Sequence, residues 1–122
     1  GDFAQEYADS LHDGTGHIVL IADQDEIVAV SGAPKKGLVE RRITEHVEEV
    51  MRGRKPFLSN VPNENPPVQD IEFLSQAVAP IIVEGDIAGA VILLSKDERS
   101  MGDLEEKLAE TAAGFLAKQL SQ

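Results

Sequence analysis

The chain has 122 residues, 22 of them acidic and 11 basic, for a net charge of −11. That length suits one domain with a real core, and the acidity disfavours non-specific binding of nucleic acid. The chain has no cysteine, which excludes disulfides, thiolate nucleophiles, Cys-liganded zinc and thioether-attached chromophores.

Asp2 to Leu11 sets Phe3, Ala4, Tyr7, Ala8 and Leu11 on one helical face. Asp2 and Gln5 form a candidate cap, and Gly14 the stop. A helix opening directly at the first residue suggests that the natural chain continues upstream. His17 to Ala22 and Glu26 to Ser31 read as two strands joined at Asp23-Gln24-Asp25. Gly32-Ala33-Pro34 breaks that pattern, and Lys35 to Glu40 suits a helical turn. Thr44 caps a short helix with Val47, Val50 and Met51 inward, ending at Gly53.

Residues 35–55 carry seven of the 11 basic side chains. Such a segment either holds an anionic small ligand or is a solvated face of Arg–Glu pairs at helical spacing. Phe57 to Asn60 fits a short edge strand. Residues 61–70 hold three of the six prolines and form a long loop, a feature more often functional than connective.

Residues 77–94 are the centre. Val78 to Val83 and Ile87 to Leu94 flank Glu84-Gly85-Asp86, a hairpin apolar on nearly every position. Such strands belong in the middle of a sheet covered on both sides. Gly89 and Ala90 leave room for a close approach. Ser100 and Asp103 form a capping box for a last helix running to about Gln119. Between Thr111 and Ala117 this helix is apolar almost all round, so more than its own sheet must cover it. The expected fold is α+β. Its antiparallel sheet has five or six strands, with the terminal helices on one face and a short helix plus loop on the other.

The element order, with Ala79-Pro80-Ile81, the Glu84-Gly85-Asp86 turn and Gly89-Ala90-Val91, resembles the GAF domain family. Residues 1–9, Val30-Ser31-Gly32 with Lys35-Lys36, residues 91–97 and Glu110 to Ala117 more closely resemble the C-terminal GAF-like domains of the stage V sporulation protein T family, an AbrB-type group of transition-state regulators in endospore formers. The resemblance implies an upstream swapped-hairpin DNA-binding domain. It also implies a homodimer through the terminal helices, and a higher homo-oligomer for the full protein. The dimer candidates are Phe3, Tyr7, Leu11, Leu108, Ala112, Phe115 and Leu116.

The residues point away from catalysis. His12, His17 and His46 meet no third ligand at a metal spacing, and neither Ser31-Gly32 nor Ser95-Lys96 sits in a nucleophile elbow. No metal or cofactor is implied. In a GAF-like fold the ligand pocket lies between the sheet and the cover made by residues 33–72. Its candidates here are Ser31, Asn60 and Ser75, with Lys35, Lys36 or Arg42 at the rim. Gln76 is the alternative to Ser75, since neighbours in a strand face opposite ways. Otherwise Ser31 and Asn60 merely close adjacent loops, and Met51, Phe57 or Phe73 fills the space of a domain kept for oligomerisation. The expected function is sensing of a small cytoplasmic ligand, coupled to an N-terminal DNA-binding domain. The domain itself is expected to touch neither nucleic acid nor membrane: no apolar run reaches the roughly 18 residues of a membrane helix.

Overall fold

The computed structural model describes residues 2–98 and 100–122. The chain runs α1 (Asp2–Thr15), β1 (Ile18–Ala22), β2 (Ile27–Ser31), α2 (Glu45–Gly53), β3 (Phe57–Ser59), β4 (Ser75–Val83), β5 (Asp86–Ser95) and α3 (Asp103–Leu120). The strands form one antiparallel sheet in the order β2-β1-β5-β4-β3. The apolar hairpin β4–β5 lies at its middle, as the sequence requires.

Both faces are covered. Val19, Ile21, Ala77, Ala79, Val91 and Leu93 pack under α1 and α3. Leu20, Val30, Val78, Ile92 and Leu94 point the other way, beneath α2 and the long loop. This is the α+β arrangement expected, with five strands.

Boundaries shift where local hydrogen bonding overrides pattern. The first helix passes Gly14 and stops at Gly16, whose φ of 76° and amide bond to the His12 carbonyl (2.7 Å) close an αL cap. The cap expected from Asp2 lies outside the described side chains. In the β4–β5 turn both Glu84 (φ 50°) and Gly85 (φ 88°) are left-handed, and Val83 pairs with Asp86. The turn therefore has two residues, a I′ geometry, and Asp86 belongs to the strand.

Thr44 stands at the N-cap of α2 but does not cap it. Its hydroxyl donates to the Pro66 carbonyl (2.6 Å) and its amide to that of Pro67 (3.0 Å), anchoring the proline loop. Before α3 the cap is Gly102 rather than Ser100, with its amide donating to the Glu105 carboxylate at 2.8 Å.

Helix α1 is tied to the outer strand by one side chain. Gln5 donates to the Val30 carbonyl (2.8 Å) and accepts from its amide (3.2 Å). Farther along β2, Ile27 donates to the Arg41 carbonyl (2.9 Å) and accepts from the Glu40 amide (2.8 Å).

Candidate functional site

The space beneath α2 and the long loop is occupied by side chains. Phe73, Val68, Val47 and Met51 are all buried there, with Phe57 packed alongside. Gln76, not Ser75, faces this side: it pairs with Leu94 of the same cluster, whereas Ser75 shares a face with Ala77 on the terminal-helix side. Gln76 is fully buried. Its amide donates to the Glu64 (3.2 Å) and Asn65 (2.7 Å) carbonyls and so fastens the loop over the sheet. Among the described residues the Gln76 Oε1 has no hydrogen-bond partner within bonding geometry, nor does His46 Nε2. The two groups are neighbours even so, for the Gln76 side chain acts on the titration of His46.

The His46 ring meets Phe57 edge-on at 4.6 Å. Burial pushes its pKa below the usual histidine value, against smaller opposing effects of Gln76 and Glu49. A proton therefore binds the unfolded chain more readily than the folded one. Stability should be complete above about pH 6.5 and fall as pH drops from there through the lowered folded value. Urea midpoints at pH 7.5 and 5.5 should differ more for the natural chain than for His46→Gln, and equal differences would remove His46 as the cause.

The other predicted pocket residues are not brought together. Ser31 lies on the terminal-helix side, where its hydroxyl, then the Gln5 amide, hold the Asp9 carboxyl below its usual range. Lys35, close enough to act on Asp9, is exposed, as are Lys36 and Arg42. Arg42 forms a backbone bridge with Glu26. Asn60 clamps Met101, donating to its carbonyl (3.0 Å) and accepting from its amide (2.8 Å). That clamp ties the end of β3 to the start of α3. The neighbouring Arg41, which no sequence pattern singles out, donates to the Gly37 carbonyl (2.6 Å) and to that of Gln69.

The terminal-helix face carries an aromatic group. Phe115 lies 5.8 Å from Phe3 and 4.9 Å from Tyr7, centre to centre. Phe3 and Phe115 are 40% and 42% exposed. Leu11 and Leu108 are half-buried and pack against the core beneath the terminal helices. Ala112 and Leu116, expected at a dimer surface, are instead buried in the chain's own core. Ala109, Ala112 and Ala113 let α3 lie close to the sheet, with Leu116 the one large side chain among its buried residues.

His12 and His17 approach each other, as their spacing allowed, but ring to backbone: His12 Nδ1 is 2.7 Å from the His17 carbonyl. The buried His17 ring turns to Glu105, 3.5 Å away. The Glu105 carboxyl is held below its usual range, chiefly by the Gly102 amide.

The family described as stage V sporulation protein T C-terminal, transcription factor, matches residues 1–121. The chain belongs to this family. Stage V sporulation protein T of Bacillus subtilis (strain 168) is 46% identical over 124 residues, a match covering 100% of this chain and 69% of that protein. Solved GAF domains share the family's fold. That of an Acinetobacter phosphoenolpyruvate-protein phosphotransferase superposes with a TM-score of 0.79 at 12% identity, over 96% of this chain and 79% of the other. The cofactor binding GAF domain of the nutrient sensor CodY from Clostridium difficile does so at 0.66 and 14%, over 95% and 83%. As a member of the stage V sporulation protein T C-terminal family the chain has a GAF fold and a place in sporulation transcription. Among the described residues no helix is long and apolar enough to cross a membrane.

Proposed function

We propose that the chain is the self-association and regulatory domain of a cytoplasmic sporulation transcription factor. In this reading two copies join through α1 and α3. Their spacing is passed along α1 to an N-terminal DNA-binding domain, and the whole protein forms a higher oligomer. The net charge of −11 leaves contact with DNA to that other domain, and no catalytic step is assigned. The observation that carries the reading is the outward aromatic group Phe3, Tyr7 and Phe115, a patch that a single copy leaves partly in water.

Phe115→Glu tests it. The position is exposed enough for the fold to survive, whereas pairing would bury the new carboxylate without a partner. Sedimentation should show dimers for the natural chain and folded monomers for the variant, with a lower melting temperature because pairing and the ring contacts to Phe3 and Tyr7 are lost. A natural chain that sediments as a monomer, or a variant that stays dimeric, would remove the reading.

A small cytoplasmic ligand acting beneath α2 is the second reading, and the unmet Gln76 Oε1 and His46 Nε2 support it. A ligand entering under the loop would have to displace some of the side chains that fill this layer, and would meet the Gln76 amide and the His46 ring there. A thermal-shift screen of nucleotides, amino acids and phosphorylated acids should raise the melting temperature for one chemical class. A ligand at a hundredfold excess over its Kd adds about 2.7 kcal/mol. No shift across the panel would leave a scaffold whose pocket is filled by Phe73 and Met51.

A further inference from the structure

A different site lies on the opposite side of the sheet. Helix α1 covers β2 and β1, and α3 covers β4 and β5. Between the first turn of α1 and the last turns of α3 a cleft of about 600 Å³ remains, a size within the roughly 300–1,000 Å³ typical of small-molecule sites. Its floor is Ile21, Ile81 and Ala88, and its walls include Phe3, Leu116 and Leu120. Phe3, Leu120 and the lining Val28 are 40%, 61% and 40% exposed, so apolar surface there stays wet.

The polar lining has one sign. Asp23 and Asp86 are its charged members, and among the described residues no Lys, Arg or His lines it. Topology sets both acids at one end, since Asp23 follows the last residue of β1 and Asp86 is the first of the adjacent β5. Asp23 is fixed there because its Oδ1 accepts the amides of Asp25 (2.7 Å) and Glu26 (2.8 Å). Gln24 is likewise held, donating to the Ile87 carbonyl at 2.8 Å.

We propose that this cleft binds a small apolar molecule bearing one cationic group. The cation sits between Asp23 and Asp86, and the apolar body runs over Ile81 and Ala88 toward Leu116. An anion would meet two carboxylates and no compensating charge. A neutral apolar molecule would take water from those carboxylates and return nothing. The cleft shares Phe3 with the aromatic patch on which two copies would meet, so its occupancy and the pairing of α1 and α3 are read by separate measurements.

Octylammonium, octanoate and octanol serve as matched probes in a titration of the whole chain followed by amide NMR. Octylammonium should bind saturably, with shifts concentrated at Ala22, Ile81, Ala88 and Leu116, and the other two should bind at least about tenfold more weakly. Asp86→Asn should weaken octylammonium by about tenfold with the melting temperature unchanged, and Ala88→Leu should block it by filling the floor. A discrimination below about tenfold, shifts centred under α2, or no saturation would overturn the proposal. Sedimentation of the same samples reads self-association separately. A monomer that still binds octylammonium would keep the cleft and remove only the pairing.

Discussion

Gly89→Ala is expected to cost about 3 kcal/mol or more and to leave much of the chain unfolded at room temperature. A Cβ at Gly89 would stand 2.0 Å from the Ala22 carbonyl oxygen and 3.0 Å from its carbon. Those are backbone atoms at the end of β1, beside the register shift between Ile21 and Ala22. No side chain can rotate away, so relief requires β1 to withdraw from β5. Gly114→Ala is the matched control, an exposed position in α3 with nothing within 4 Å of the new methyl. It should raise stability by about 0.5–1 kcal/mol, from helix propensity and a less flexible unfolded chain. Urea titration of the two variants should therefore move the midpoint in opposite directions. A Gly89→Ala midpoint equal to the natural one would mean that the end of β1 is free to move.

Phe73→Ala should lose about 3–5 kcal/mol, the usual cost of emptying a large buried aromatic site. Phe73 is 2% exposed and sits where the long loop enters β4. Its amide donates to the Asn63 side chain at 2.9 Å, and its carbonyl accepts from the Asn63 amide at 3.0 Å. The backbone at Phe73 is thus held from both sides, and the loop cannot follow the retreating side chain. The lost ring leaves a void that the Val68 side of the core cannot easily refill. The urea midpoint should fall with little change in slope. A loss below about 1 kcal/mol would show that the loop collapses inward after all.

Much of the fold was legible because the strands announce themselves twice, in β-branched runs and in the turns between them. Asp23-Gln24-Asp25 and Glu84-Gly85 mark two hairpins, and a sheet apolar on both faces demands covers on both. What could not be read were choices between near-equivalent neighbours. Ser75 and Gln76 face opposite sides, and only the pairing of Gln76 with Leu94 decides which side is which. Along α3 the sequence offers two apolar stripes. The buried positions are Ala109, Ala112, Ala113 and Leu116, while Leu104 and Leu120 remain 67% and 61% exposed. Position made that selection, since Leu116 faces the sheet while Leu104 and Leu120 lie in the end turns of the helix, and hydrophobicity alone does not encode it. Gly14 and Gly16 are likewise equal as letters, and only the αL geometry at Gly16 separates them. The role of Asn60 was open as well, because its partner Met101 is 41 residues away.

The clip that Gln5 places on Val30 has a consequence for how copies can meet. An outer strand normally offers a row of free amides and carbonyls onto which another chain can add a strand. On β2 the groups of Val30 are taken by Gln5, and those of Ile27 by the backbone of Glu40 and Arg41. Extension of the sheet across this border would first have to displace a helix side chain and a loop from inside the same molecule. At Val30 and Ile27 this border is thus insulated against strand addition, and growth of the sheet there would cost internal hydrogen bonds first.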